Sequence, residues 1–338
     1  MNKLNKIGVS ALCGSLAAIS AANAGDLSVT GGADLTWTSL SGGVTGNPIG
    51  MGSNFTLSGS GDLDNGWNVA LSIAMTNANA YSNTNVVIGI PGIGDVRIDQ
   101  GTSGTGIDRM DNKVPTVWEE ADGAGLSAGI ANVTGVSAGA NVEITPEGMP
   151  DGLTVRFAVS PNADTAATTG DKATGGDSGV YGSGWDLTAT ASDAMHGIAG
   201  LTVYGGISQV ETNQNSSAYD SDGEETVLGA SYAMGGFTVG YQINDDETGR
   251  ASTNTKYENT YYSITFNVND DLSIGYGHAE SDVSTTTNVT AEADSIQAAY
   301  TMGGATLRIA DVDVENQAYS TSAGTDKEAT IISLGLAF

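Results

Sequence analysis

The sequence predicts an all-β protein, a transmembrane antiparallel up-and-down β-barrel of 16 strands, with 18 as the alternative count. Three observations predict it. First, the chain ends in a strict alternation: Ile332, Leu334, Leu336 and Phe338 fall on one face, while Ile331, Ser333, Gly335 and Ala337 fall on the other. Second, that alternation recurs along the whole chain, and beyond the first residues no apolar run is long enough for a membrane helix. Third, short turns alternate with long polar stretches, as expected when one end of a barrel carries tight turns and the other carries loops.

Residues 1–24 read as a secretory signal peptide. Lys3 and Lys6 precede an apolar stretch from Ile7 to Ile19, and Ala22-Asn23-Ala24 is a small-x-small cleavage site before Gly25. The single cysteine, Cys13, lies inside this leader, so the mature chain is expected to lack thiols, disulfides and Cys metal sites. Losing Lys3 and Lys6 takes the formal charge from −28 to −30. That charge argues against nucleic acid or anionic lipid as a partner and for an attraction to cations.

The first strand places Leu27, Val29, Ala33, Leu35 and Trp37 opposite Asp26, Ser28, Thr30, Asp34 and Thr36. Phe55-x-Leu57 follows, then the Asn65-Gly66 hairpin and Trp67 to Met75. Val86 to Ile90, a Pro91-Gly92 turn and Val96 to Ile98 complete five strands. The sixth is read over Val136 to Ile144. Alternating segments then follow at 153–159, 185–189, 201–207, 228–232, 237–243, 262–268, 272–276, 296–300, 305–309 and 330–338. Long polar connections are expected at 39–53, 161–183, 211–224, 245–258, 281–292 and 313–325. The inner faces are too polar for a soluble sandwich.

These features, taken in order, resemble a Gram-negative general-diffusion porin of the 16-stranded type. The resemblance rests on the leader and on two matching hairpins, Tyr232-Ala233-Met234-Gly235-Gly236-Phe237-Thr238 and Tyr300-Thr301-Met302-Gly303-Gly304-Ala305-Thr306. It rests also on Gly94-Asp95-Val96-Arg97-Ile98-Asp99-Gln100-Gly101 before a non-alternating loop, and on the terminal Leu334-x-Leu336-x-Phe338. It covers residues 25–338 and implies an outer-membrane location, passive diffusion of small hydrophilic solutes and ions, a homotrimer, and Leu334, Leu336 and Phe338 as the signal read by the barrel-assembly machinery.

The resemblance also assigns residues of about 101–135 to a loop folded into the barrel as a constriction. Its carboxylates Asp108, Asp111, Glu119, Glu120 and Asp122 are the expected acidic filter, which would favour cations. Arg109 and Lys113 lie among them. Arg97, Arg156 and Arg308 sit at inward parity and are the candidates for a basic wall opposite the loop; for Arg97 the alternative is local pairing with Asp95 or Asp99. The alternative for the whole segment is a solvated outer loop. Val114 to Trp118 and Leu126 to Ile130 alternate enough to supply two more strands, which gives the count of 18. Trp37, Phe55, Trp67, Trp185, Phe237, Tyr241, Tyr262, Tyr300 and Phe338 fit an aromatic girdle.

No cofactor is expected. Calcium could bind at Asp220 to Glu225 or Asp311 to Glu315, but neither has a full EF-hand spacing, and solvated loops are the better reading. No catalytic constellation appears, since His196 and His278 are far apart and no enzyme is expected. The contrasting functional class is a structural or adhesive surface protein with acidic, calcium-binding loops.

Overall fold

In the computed structural model, residues 28–337 are described except 42–45, 78, 102–103, 164–180, 213–217, 252–254 and 285–287. The signal-peptide reading, Cys13 and Phe338 therefore lie outside the described residues.

The strands are β1 (Ser28–Ser41), β2 (Ile49–Asp62), β3 (Asn68–Thr76), β4 (Asn79–Ile90), β5 (Gly94–Asp99), β6 (Asn141–Pro146), β7 (Leu153–Ser160) and β8 (Tyr181–Ala191). They continue as β9 (Leu201–Thr212), β10 (Gly223–Met234), β11 (Phe237–Glu247), β12 (Lys256–Asn267), β13 (Leu272–Ser284), β14 (Val289–Met302), β15 (Ala305–Glu315) and β16 (Lys327–Ala337). Each pairs antiparallel with its sequence neighbours, and β1 pairs with β16 in the register Leu35↔Leu334, so the sheet closes into a 16-stranded barrel.

Alternation sets the two faces. Phe237, Val239, Tyr241 and Ile243 are exposed along the outside of β11, while the alternate residues Gln242 and Asn244 are buried inside. The same split separates Leu307 and Ile309 from Arg308 on β15, and Ile332 and Leu336 from Ser333 on β16. An outward Leu or Ile moved from water into lipid contributes roughly 1.5–3 kcal/mol. Trp37, Phe55, Trp67, Phe237, Tyr241, Tyr262 and Tyr300 are all exposed on this outer surface, and Phe237 stacks on Phe266 at 4.2 Å.

The turns at one end include the two-residue Gly235-Gly236 and Gly303-Gly304 connections. Gly235 and Gly303 have φ of +61° and +62°, which a side chain would resist. The same end holds the Asn65-Gly66 and Pro91-Gly92 turns and a single helical turn, α1 (Asp193–His196). The other end carries the longer connections, of which 100–140 is the longest.

Several sequence expectations need correction. The count of 18 falls: Val114–Trp118 is not a strand but docks on wall side chains, Val114 beside Tyr261 and Trp118 N–H on Gln297, and Leu126–Ile130 is not one because positive φ at Gly123, Ala124, Gly125, Ser127 and Gly129 breaks any extended run there. The sixth strand begins at Asn141 rather than Val136, since residues 135–138 form a 3-10 turn. Strands also run further than expected. β11 reaches Glu247, β13 reaches Ser284 and β15 reaches Glu315, so the connections 248–255 and 285–288 are short. Asp311 to Glu315, and Gly223 to Glu225, thus belong to strands rather than loops. His278 lies within β13.

The two faces differ in what they tolerate. We expect Leu71→Arg on the outer face of β3 to lower the unfolding free energy in lipid by about 2–4 kcal/mol, and Ser72→Arg on the open inner face to cost less than half of that. Denaturant titration of barrels folded into vesicles measures both.

Candidate functional site

Residues 100–140 leave β5 and return to β6 along the inside of the barrel. The segment has little internal hydrogen bonding, so its peptide groups need partners from the wall. A buried peptide group without one costs about 1–3 kcal/mol.

Both limbs pass the same carboxylate. Asp186 of β8 accepts Ile107 N–H at 3.0 Å and Val136 N–H at 3.2 Å. The approach is so close that a Cβ on Gly106 or Gly135 would lie 1.9 or 2.3 Å from the Asp186 carboxylate. Glu143 of β6 accepts Gly106 N–H at 2.8 Å and pairs with Arg109 at 2.5 Å. Glu225 of β10 accepts Thr134 N–H and Gly135 N–H.

Amides hold the middle. Gln242 of β11 is fully buried; its Oε1 accepts Lys113 N–H at 3.0 Å and its Nε2 donates to Met110 O and Asp111 O. On the far side Gln297 of β14 accepts Trp118 and Glu119 N–H and donates to Glu119 O. Asn259 of β12 donates to Ala131 O, and the Tyr319 hydroxyl accepts Ala131 N–H.

Apolar contacts fill the gaps. Ile107, Met110 and Val133 pack on Tyr204 and Val227, while Val114 and Ala121 pack on Tyr261 and Ala279. Ala124 and Ala128 dock on Ala310, Val312, Val314, Ala329 and Ile331, flanked by Trp118, Leu126 and Ile130. Here the upper inner face of β15 and β16 is apolar, contrary to the consistently polar inner face expected from sequence.

The five expected carboxylates all lie on this segment. Glu120 is exposed to the lumen; Asp108, Asp111, Glu119 and Asp122 are half-buried. Although its side chain reaches the lumen, loss of part of its hydration against the loop, and then the charges of Asp111, Asp122, Glu119 and Asp108, push Glu120 up to about 7. Burial likewise pushes Asp111 up to about 6, with Asp108 and Asp122 adding to the shift. Glu119 is raised by burial and held back by Arg308, and burial also raises Asp108 and Asp122.

The three wall arginines do not form one cluster. Arg97 bonds Asp99 at 2.7 Å, the local pairing weighed above, and Arg308 bonds Asp34 at 2.9 Å. β15 is eight strands from β7 around the closed sheet, so Arg308 and Arg156 stand across the lumen from each other. Arg156 instead neighbours Arg109 and Lys113 of the loop; burial, and then those two arginines, lower the Lys113 ammonium. Strands β1–β4 bring no base of their own to the remaining lumen, because residues 28–96 contain no Lys or Arg; Arg308 reaches Asp34 from β15.

Sequence reasoning missed Asp186, Glu225, Gln242 and Gln297 as loop anchors. For three of them a signal was available: Asp186, Gln242 and Gln297 are polar residues at inward parity between outward apolar ones, as Gln242 is between Tyr241 and Ile243, whereas Glu225 lies between Glu224 and Thr226 and has no such flanks. Leu334 and Leu336 lie in β16 beside its closing contact with β1.

Comparison with known proteins adds three findings. The family described as Gram-negative porin matches residues 8–335. No curated protein matches by sequence. Solved structures match the fold at low identity. A porin refined at 1.8 Å shares 12% identity with a TM-score of 0.65, covering 93% of this chain and 100% of that one. OmpT of Vibrio cholerae, folded in vitro, shares 12% at 0.62, covering 92% and 97%. An anion-selective porin from Comamonas acidovorans shares 13% at 0.61, covering 93% and 99%.

Gln242→Leu removes the partners of Lys113, Met110 and Asp111 while leaving the strand ladder intact. We expect the barrel to fold, to lose about 1–3 kcal/mol of stability, and to show a noisier, larger single-channel conductance as the loop loosens. Single-channel recording with a parallel thermal melt checks both effects.

Proposed function

The chain belongs to the Gram-negative porin family, and on that premise we propose that it conducts small hydrophilic solutes and ions across the outer membrane with a preference for cations. Family membership makes it a channel rather than an enzyme. The finer parts of this reading are our own: the sign of its selectivity, the inward loop as constriction, export behind a cleaved 1–24 leader, assembly as a homotrimer through the barrel-assembly machinery, and the absence of a required cofactor.

One observation carries the cation preference. The lumen is bounded on one side by a loop bearing Asp108, Asp111, Glu119, Glu120 and Asp122, and on the other by β1–β4, which bring no Lys or Arg. Of the bases that do reach the lumen, Arg97, Arg109 and Arg308 each bond a carboxylate. Lys113 and Arg156 remain as a small basic patch on one side. Carboxylates in a narrow water-filled path raise the local concentration of cations and lower that of anions. The relative from Comamonas acidovorans is described as anion-selective, so the fold alone does not set the sign and these residues must.

The strength of this preference should depend on pH. A carboxyl whose pKa is raised to about 6 or 7 is charged above that value and neutral below it. Cation preference should therefore be full near pH 8 and decline as pH falls through about 7 and about 6.

Planar-bilayer recording under a salt gradient tests the reading. We expect a stepwise conductance with a cation-sign reversal potential that shrinks between pH 8 and pH 5, and that reverses or vanishes in the double variant Glu119→Lys, Glu120→Lys. An anion-sign potential in the unmodified protein would defeat the proposed filter and shift the role to Lys113 and Arg156.

A further inference from the structure

On the outer wall, away from the lumen, β13 and β14 bring a histidine and two carboxylates together. His278 lies directly opposite Asp294 in the strand register, and Glu292 sits one outward position further along β14. Nδ1 of His278 is 2.9 Å from Asp294 Oδ1 and 3.8 Å from Glu292 Oε1. One donor atom from each of the three residues lies within 4.8 Å of the others.

We propose that these residues form a binding site for a divalent first-row metal ion such as zinc. The donor set, one imidazole and two carboxylates, is one that such ions accept, leaving a position for water. With bonds of about 2 Å, tetrahedral donors stand roughly 3.4 Å apart, and the two measured separations bracket that distance.

The surroundings are built to hold the ligands. His278 is only 5% exposed, and its ring stacks on Tyr262 at 4.5 Å, which fixes the plane of the imidazole. The Tyr276 hydroxyl donates to Asp294 Oδ1, the kind of outer contact that orients a ligating carboxylate. Charge favours a cation as well. Glu292 faces Glu280 and Glu315 across the strands, and Asp294 faces Asp313. Like charges directly opposed destabilise a sheet, and a bound cation relieves them. A metal here would tie β13 to β14 at the rim of the apolar band.

Calorimetric titration of Zn2+ into the full, folded barrel in detergent tests the site, with heat-modifiable migration confirming that each variant is folded. We expect one Zn2+ per chain in the unmodified protein, loss of that binding in His278→Gln, and no change in His196→Gln, which alters the other histidine in the α1 turn. Tyr276→Phe keeps every ligand and should weaken binding about tenfold. Co2+ should give a visible d–d spectrum that is absent in His278→Gln. Superimposable Zn2+ titrations for the unmodified protein and His278→Gln would overturn the site. So would displacement of Zn2+ by equimolar Ca2+, which would exclude the imidazole as a ligand.

Discussion

The peptide bond must keep its hydrogen bonds wherever water is excluded, and the rest of this structure depends on that demand. For a chain that crosses lipid as strands it permits only a sheet with no free edge, which is why β1 meets β16 and why the last strand is as indispensable as the first. Inside the barrel the same demand reappears in another form. The segment 100–140 crosses the interior without a ladder of its own, so the wall supplies carboxylates to its N–H groups and amides to both its N–H and C=O groups. Asp186, Glu143, Glu225, Gln242 and Gln297 are in effect a substitute strand made from side chains.

This division of labour separates two kinds of acid within one lumen. Carboxylates of the wall accept backbone donors, which fixes the path of the loop. Carboxylates of the loop crowd one another, and burial and mutual repulsion lift Glu120 and Asp111 toward neutrality. The first group holds the loop against the wall, and the second carries titratable charge along the loop itself. Counting acids along the sequence cannot distinguish them, because the difference lies in which groups face a row of peptide N–H and which face water.

Much of the fold was legible, for a physical reason. Where a strand crosses the apolar band, lipid forces one face to be hydrophobic, and residues such as Leu307 and Ile309 announce the strand. Above the band that pressure ends. On β15 the outward positions become Asp311, Asp313 and Glu315, while the inward ones become Ala310, Val312 and Val314 to receive the loop. The alternation persists but its sense inverts, so a reading that waits for outward Leu and Ile stops at residue 309. The loop's location was legible only through resemblance. Its apparent strands at 114–118 and 126–130 carried the right alternation, yet the apolar side chains serve docking and the glycines between them prevent extension. The basic wall was the least legible part. Inward parity was correct for Arg97 and Arg308, but parity says nothing about the neighbouring Asp99 and Asp34 that engage them.

The inversion on the upper strands also shapes the outside. From β11 to β16 the outer surface above the apolar band presents Asp245, Glu258, Asp282, Glu292, Asp313 and Glu328, and the strand pairing sets many of them carboxylate against carboxylate, with Lys256 as a base among them. None of these groups can descend into hydrocarbon at an acceptable cost. The collar therefore works as a waterline. It fixes how deeply the barrel floats, resists tilting toward the β11–β16 side, and keeps a layer of mobile counterions around the entrance. The acidic rim thus gathers cations at the mouth of the barrel, before any of them reaches the lumen.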